Sequence, residues 1–237
     1  MEMKASLPAA KGQLALELPI TVRLGREDFL QAQANERALS MIDKWPQWPD
    51  IILQLYGPPG SGKSHLLSIW TQCAQACVYQ GSALPTVEEL ERTAPLALGI
   101  DNIDRVHDET ALFHVLNYAI EHQLFLLMTA QHAPSLSHFK LPDLCSRLRR
   151  APAVEICAPD DRLVRAVLAK LFLDRQLIVE APTLDYVSLR LDRSLDAVRG
   201  FVAALDREAM AQGRPITRAL AAEVMARCYP DLSVTDD

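Results

Sequence analysis

The segment 57–64, which reads Gly-Pro-Pro-Gly-Ser-Gly-Lys-Ser, constrains the fold of this chain more than any other feature of the sequence. It follows a short apolar run at 51–56, typical of a buried strand, and precedes a segment at 65–77 with helical spacing. A glycine-rich loop in this context directs successive backbone N–H groups towards phosphate oxygens, assisted by the N-terminus of the following helix. The motif therefore predicts a site for the phosphate chain of a nucleotide.

Side chains in and near this loop have specific expected roles. Lys63 carries a mobile positive charge towards the β- and γ-phosphates, and the Ser64 hydroxyl binds Mg²⁺. Asp101 ends another apolar run, where a carboxylate supports the same metal ion. We therefore expect ADP or ATP with Mg²⁺ as ligands, and Ser64 and Asp101 as the metal-binding residues. The residues expected to contact the nucleotide are Gly57, Pro58, Pro59, Gly60, Ser61, Gly62, Lys63, Ser64 and His65.

Apolar runs alternate with helical patterns over the first two thirds of the chain. Strands are predicted at 51–56, 77–79, 95–101, 124–129 and 153–156, and helices at 27–44, 65–77 and 109–123. This alternation predicts an α/β fold, with a doubly wound, parallel, five-stranded sheet covered by helices on both faces. Trp45 and Trp48, which end the first helix, either pack near the adenine or anchor that helix.

The pattern changes after Ala158, where helical spacing continues without a further strand and predicts a small helical lid. Asp160 and Thr217 are the expected N-caps of the first and last lid helices, and Gly213 is an expected helix stop. The lid helices are expected at 160–176, 183–191, 194–212 and 217–228. We divide the chain into an extended N-terminal segment (1–22), an α/β nucleotide-binding domain (23–158) and a helical lid domain (159–237).

The composition argues against a strongly basic nucleic-acid-binding protein, a membrane protein and a secreted protein. The chain has 237 residues and a formal net charge of −6, so the totals show no strongly basic face for nucleic acid. No run of about 18 apolar residues and no signal-peptide pattern is present, so neither a membrane span nor secretion is expected. The five cysteines are scattered and odd in number, and Cys73 and Cys77, four apart on a predicted helix, are interpreted as buried, reduced thiols, which favours a cytoplasmic location.

The position after Asp101 bears on catalysis. Active ATPases usually have an acid there to polarise the attacking water, but this chain has Asn102, which cannot accept a proton. Asp104 lies two residues further on and is a partial substitute. Thr129, at the end of the fourth strand, is placed to sense the γ-phosphate or to orient water. We expect slow hydrolysis or none, with Asp101, Asn102, Thr129 and Arg147 as the candidate catalytic residues.

An arginine-rich segment at 141–150 reads Leu-Pro-Asp-Leu-Cys-Ser-Arg-Leu-Arg-Arg. The planar guanidinium suits phosphate geometry, and an arginine presented to the γ-phosphate of a neighbouring subunit accelerates hydrolysis strongly. The alternative is a solvated basic helix end, which suits Arg149 and Arg150 better than Arg147. Arg147 is therefore the candidate arginine finger.

These elements together resemble the AAA+ module of the replication initiator DnaA, and more closely the shorter, DnaA-related regulators of the Hda type. The resemblance rests on the phosphate loop, Ile-Asp-Asn-Ile at 100–103, the end of the fourth strand and the segment 141–148, and it extends from about residue 13 to about residue 225. From the chain length we expect no C-terminal DNA-binding domain of the DnaA kind.

The resemblance also assigns a role to residues 13–18, Gln-Leu-Ala-Leu-Glu-Leu. They are similar to the peptide by which this family binds the sliding clamp of the replicative polymerase. An extended peptide places Leu14, Leu16 and Leu18 on one side, against an apolar groove, while Gln13 hydrogen-bonds at the rim. The family therefore implies a clamp-binding segment ahead of the nucleotide-binding domain.

By resemblance, the nucleotide-bound protein docks on the β subunit clamp of DNA polymerase III and so contacts DNA indirectly. It then uses Arg147 to promote hydrolysis of DnaA-bound ATP, which is negative regulation of replication initiation; no membrane is involved, and a homo-oligomer is possible. The alternatives are an ATP-hydrolysing helicase loader and a DnaA-like initiator. Asn102 argues against the first and the acidic balance against the second.

One lid position departs from the family. The family has a sensor arginine that reaches the nucleotide, whereas this chain has Asp196 at the corresponding position. An acid near the γ-phosphate repels it, which favours an ADP-bound resting state. Arg193 and Arg199 each lie three residues from Asp196, so either could take the place of the sensor.

Overall fold

The computed structural model describes residues 24–136 and 138–229. Within these residues five strands form one parallel sheet in the order β2-β3-β4-β1-β5. The strands are β1 (Ile52–Tyr56), β2 (Cys77–Gln80), β3 (Ala97–Asp101), β4 (Phe125–Ala130) and β5 (Ala153–Glu155). Strand β1 pairs with β4 on one side and β5 on the other, so the loop at 57–62 leaves from the interior of the sheet. The predicted parallel five-stranded sheet is confirmed.

Helices cover both faces of this sheet. Leu53 and Leu55 of β1 pack in one core cluster with α1 (Glu36–Asp43) and α2 (Lys63–Ala74). Ile52, which points to the opposite face, packs in a second cluster with α3 (Val87–Thr93), α4 (Glu109–Glu121) and α5 (Pro142–Arg150). Successive residues of a strand point to opposite faces, so the apolar run of β1 serves both clusters.

The C-terminal helices pack around a cluster of their own that includes Phe201 and Val202. They are α6 (Asp161–Asp174), α7 (Ala181–Ser188), α8 (Leu195–Gln212) and α9 (Arg218–Cys228). The predicted caps are confirmed: Asp160 accepts from the Leu163 amide, and Thr217 accepts from the Leu220 amide. Gly213 ends α8 in the left-handed region, with a φ of 59°.

The helix predicted at 27–44 was wrong in its first half. The chain forms a 3-10 helix at Arg26–Asp28, and α1 begins at Glu36. Asn35, only 2% exposed, accepts a hydrogen bond from the Ala32 amide and donates one to the Leu30 carbonyl. These local bonds satisfy the backbone without a helix, because an asparagine side chain competes for main-chain groups.

Trp45 and Trp48 anchor the first helix. Trp48 stacks on Trp70 at 5.3 Å between ring centroids, and its indole N–H donates to the Met41 carbonyl in α1. Trp45 meets the edge of Trp70 and packs against Phe125, the first residue of β4. The cluster therefore lies at the end of the sheet opposite the loop at 57–62.

Two helices, α3 and α5, were not predicted. For α3 a signal was present, because Thr86 and Glu89 have the spacing of a helix N-terminus and the Thr86 hydroxyl accepts from the Glu89 backbone amide.

Among the described residues, no helix is long and apolar enough to cross a lipid bilayer.

Candidate functional site

The loop at 57–62 connects β1 to α2 and requires glycine at particular positions. Gly60 and Gly62 have φ angles of 69° and 102°, which residues other than glycine rarely adopt. At Gly60 a Cβ atom would also lie 2.0 Å from the hydroxyl oxygen of Ser194, the residue that caps α8. The glycine therefore permits both the turn of the loop and its contact with the lid.

Lys63, the first residue of α2, is held inside the loop. Its Nζ donates to the carbonyls of Gly57 and Pro58, both at 2.7 Å, and the residue is only 9% exposed. Burial lowers the pKa of Lys63, while the charges of three aspartates, Asp101, Asp104 and Asp196, oppose that shift. An ammonium group that is poorly hydrated and held by neutral carbonyls is well placed to bind a phosphate instead.

Asp101 is the centre of a hydrogen-bond network at the carboxyl ends of β3 and β4. The Ser64 hydroxyl donates to its carboxylate at 2.9 Å, and the Thr129 hydroxyl donates to it at 2.6 Å. The Thr129 hydroxyl oxygen in turn accepts a hydrogen bond of 2.7 Å from the backbone N–H of Asn102. The predicted metal-binding pair, Ser64 and Asp101, is therefore brought together by contacts between three elements.

This pair fits Mg²⁺. The ion prefers oxygen ligands, and it is commonly held by one or two protein oxygens, phosphate oxygens and water. Among the described residues no group of three or more His, Cys, Asp and Glu side chains could hold a metal ion alone. A hydroxyl and one carboxylate beside a phosphate loop are the donor set of a nucleotide-dependent magnesium site.

The residues next to Asp101 give no evident base for hydrolysis. Asn102 adopts a left-handed conformation with a φ of 60°, and its side-chain oxygen is buried without a hydrogen-bond partner. The Asp104 carboxylate accepts from the Gln131 amide at 2.6 Å and lies 3.2 Å from Nδ1 of His132. Asp104 thus fixes the two residues that follow β4, and the Thr129 hydroxyl donates a hydrogen bond to Asp101. The contact predicted between Thr129 and the γ-phosphate stays a prediction.

The side chain of His65 contacts the segment that precedes α1. Its Nε2 lies 2.9 Å from the Gly25 carbonyl, and its ring meets the edge of Phe29 at 5.1 Å. Burial lowers the pKa of His65, and the nearby charges of Arg199 and Lys170 lower it further, against the Gly25 carbonyl and Asp28. The neutral ring therefore donates its Nε2–H to Gly25 and holds residues 25–29 beside α2.

The lid lies directly on the loop. The amide of Leu195, the first residue of α8, donates to the Gly60 carbonyl at 2.8 Å. Asp196 follows, and its charge acts on Lys63. No sequence signal identified this contact, because it joins residues 135 positions apart in a chain whose lid could pack in many ways.

The two arginines considered as sensors differ in position. Arg193 forms an ion pair with Asp161 of α6 at 3.0 Å, and its side chain is 64% exposed. Arg199 lies 3.4 Å from Asp196, is 26% exposed, and is close enough to His65 to lower its pKa. Arg199 is therefore the arginine on the loop side of the lid.

Arg147 lies far from the loop of its own chain. Its guanidinium carbon is 5.2 Å from the ring centroid of Phe113 in α4. With Arg150 it lines a groove that also includes Ile51 and Ile52, at the start of β1, whereas the phosphate loop follows the other end of that strand. As expected, Arg149 and Arg150 are exposed and Arg147 is half-buried. The predicted clamp-binding residues Gln13, Leu14, Leu16 and Leu18 lie outside the described residues.

No family model matches this sequence. Among solved structures, domain III of the replication initiation protein DnaA from Thermotoga maritima aligns with a TM-score of 0.70 and 17% identity, over 89% of this chain and 98% of that chain. The Holliday junction branch migration motor RuvB from Thermotoga maritima gives 0.69 and 18%, over 91% and 75%. AMPPCP-bound DnaA from Aquifex aeolicus gives 0.66 and 17%, over 86% and 69%. This chain therefore has the AAA+ α/β fold, as predicted.

Proposed function

We propose that this chain is an adenine-nucleotide-binding AAA+ regulator of chromosomal replication initiation, of the Hda type. It docks on the sliding clamp through residues 13–18 and promotes hydrolysis of DnaA-bound ATP. The observation that carries this proposal is the separation of two functions in one domain. The loop around Lys63 is built to hold phosphates, but the position after Asp101 is Asn102, which is not a base. Arg147 lies towards the opposite end of the sheet, beside the start of β1.

The nucleotide in this proposal is a structural ligand. The loop around Lys63 holds the phosphates, and Ser64 and Asp101 hold Mg²⁺. AMPPCP is bound by the DnaA of Aquifex aeolicus, which has the same fold, and this supports an adenine nucleotide here. The negative charge of Asp196 acts on Lys63 and opposes a third phosphate, so we propose ADP as the resting ligand.

Weak hydrolysis by this chain follows from its residues. Attack of water on the γ-phosphorus breaks the bond to the β–γ bridging oxygen, and the water loses a proton that a nearby base must accept. Asn102 cannot accept that proton, and the carboxylate of Asp104 is engaged by Gln131 and His132. The chain therefore hydrolyses ATP slowly or not at all.

Arg147 acts on the nucleotide of the partner. In DnaA–ATP, the partner supplies its own water, metal ion and phosphate loop, and the transition state gathers charge on the γ-phosphate oxygens. A guanidinium inserted beside those oxygens stabilises this charge, and in GTPases such an arginine raises the rate by about 10³ or more. The products are DnaA–ADP and inorganic phosphate.

Binding to the clamp determines where the proposed regulator acts. The clamp concentrates the regulator on replicating DNA, in the cytoplasm, so that DnaA–ATP is met only after polymerase loading. Support for the clamp contact comes from the alternating leucines at 14, 16 and 18 and from their position ahead of the first helix.

The experiment that tests this function measures phosphate release from DnaA–ATP with purified components. We expect acceleration when this protein, ADP and clamp loaded on DNA are all present, and none when the clamp is omitted. Arg147→Ala should retain ADP and clamp binding yet lose the acceleration. Equal stimulation by Arg147→Ala would place the arginine finger elsewhere, and rapid hydrolysis by this chain alone would favour a helicase loader or an initiator.

A further inference from the structure

Helix α5, which carries Arg147, has no cap of its own at its N-terminus. Its N-cap residue is Leu141, whose side chain has no acceptor, and Pro142 follows with no N–H group. The acceptor comes instead from α4. The Glu109 carboxylate accepts hydrogen bonds from the amides of Lys140, at 2.8 Å, and Leu141, at 2.7 Å. A negative charge at this position also complements the dipole of α5.

The same face of α4 holds the guanidinium of Arg147. Glu109 and Phe113 are four residues apart in α4, so they lie on one face of that helix. Side chains on a helix point back towards its N-terminus, and Arg147 accordingly reaches the ring of Phe113, 5.2 Å from its centroid. One face of α4 therefore holds both the two residues that lead into α5 and the arginine that α5 presents.

The other end of α5 is attached to the sheet. Gln54 of β1 is 1% exposed, and its side-chain amide donates to the Leu148 carbonyl at 2.7 Å. That carbonyl belongs to the last turn of α5, where carbonyls have no partner within the helix. With its C-terminal end held by Gln54, a change at Glu109 would tilt α5 about this point.

From these contacts we infer that Glu109 is a positioning residue for Arg147. The inference rests on the proposed function, in which Arg147 acts on the γ-phosphate of a partner ATPase. Glu109 acts on Arg147 through α5. Its removal leaves the amides of Lys140 and Leu141 without their acceptor and lets the guanidinium shift. Displacement of a reacting group by about 1 Å can lower a rate by about 10²-fold.

The test compares Glu109→Ala, Glu109→Gln and Arg147→Ala in stimulation of partner ATP hydrolysis. We expect Glu109→Ala to lower the maximal stimulated rate about tenfold or more, with half-saturation changed less than twofold. Glu109→Gln retains one acceptor oxygen and should fall between Glu109→Ala and the unchanged protein. Glu121→Ala, at the exposed last residue of the same helix, is the matched control and should behave as the unchanged protein.

The affinity for ADP separates positioning from general loss of the folded site. Glu109→Ala should bind ADP as the unchanged protein does, because Glu109 contacts the residues ahead of α5 and not the phosphate loop. Weakened ADP binding by Glu109→Ala, or full stimulation of the partner by it, would overturn the inference.

A second measurement does not depend on the partner. With its guanidinium carbon 5.2 Å from the ring centroid of Phe113, Arg147 should show a ring-current shift of its Nε–H signal in NMR, so this signal reports the position of the guanidinium over the ring. We expect it to move in Glu109→Ala and to stay in place in Glu121→Ala. If the unchanged protein stimulates no hydrolysis, the proposed function fails, and an unmoved Arg147 signal would separately refute the role of Glu109.

Discussion

The amide of Leu195 donates a hydrogen bond of 2.8 Å to the carbonyl of Gly60, which joins the first turn of a lid helix to the phosphate loop. The phosphate loop and the lid are therefore in direct contact. A nucleotide that enters the loop must lie beside this contact, and the residues that flank it, Lys63 and Asp196, carry opposite charges. The lid is thus part of the candidate nucleotide site.

Replacement of Gly60 by alanine should disrupt this contact. The new Cβ meets the Ser194 hydroxyl, and the φ of 69° strains any side chain, so we expect at least a tenfold loss of ADP affinity by calorimetry. Gly213→Ala is the matched control, since its φ of 59° is similar but nothing lies within 4 Å. Equal ADP affinity in the two variants would show that the lid contact does not matter for binding.

Lys63→Ala should abolish nucleotide binding. The ammonium group is the one cation that the described loop places among its own carbonyls, and without it the phosphates lose their main charge partner. Titration with ADP in a calorimeter measures the loss. Lys44→Ala, at an exposed position after α1, should bind as the unchanged protein does. Tight ADP binding by Lys63→Ala would contradict our assignment of the phosphate loop.

His65 should make the stability of the fold depend on pH. Burial lowers the folded-state pKa of His65 below its ordinary value of 6.5, so the unfolded chain takes up a proton first as the pH falls. Its contribution to stability is complete above about pH 6.5 and is lost progressively below it. The groups that face the ring are Gly25, Arg199, Asp28 and Lys170.

The measurement is the melting temperature between pH 7.5 and 5 for the unchanged protein and for His65→Gln. Glutamine can donate to the Gly25 carbonyl but does not titrate, so its pH profile should be flatter. His107→Gln, at an exposed position ahead of α4, controls for loss of a histidine. Parallel profiles for His65→Gln and the unchanged protein would exclude His65 as the titrating group.

Asp196→Asn should raise the affinity for ATP relative to ADP. The carboxylate acts on Lys63 and repels the additional charge of a γ-phosphate, but its side chain is 70% exposed and therefore screened by solvent. We expect a modest, salt-dependent change of roughly threefold in the ATP to ADP ratio, measured by competition with a fluorescent nucleotide. Asp161→Asn, which removes the same charge elsewhere on the lid, should leave the ratio unaltered.

Replacement of both Gln13 and Leu16 by alanine should remove clamp binding without changing the melting temperature. The peptide contributes a rim hydrogen bond and an apolar anchor, and both are lost. Surface plasmon resonance on immobilised clamp provides the measurement, and Ala15→Ser within the same peptide is the control. Undiminished binding by the double variant would discard the clamp-binding segment.

The features that were predictable from the sequence depend on neighbours along the chain. The turn at 57–62 is one, because its glycines lie between a strand and a helix, and its binding of phosphate stays a prediction. Apolar runs sufficed for the five strands, and Asp160, Thr217 and Gly213 marked helix ends through bonds that span a few residues. The helix at 27–44 failed where the side chain of Asn35 formed local bonds that periodicity does not register.

Other features depend on contacts between residues that are distant in the sequence. His65 meets Gly25 across 40 positions, and Glu109 meets Lys140 across 31. Neither pairing has a periodic signal, since each depends on how several helices pack on one sheet. The choice of Arg199 over Arg193 and the distance of Arg147 from its own phosphate loop have the same origin. Local chemistry determined the turn at 57–62 and the positions of Lys63 and Ser64, because these residues are neighbours in the chain. Packing of the sheet and the lid determined which charges surround Lys63, namely Asp101, Asp104 and Asp196, because these residues are distant in the chain.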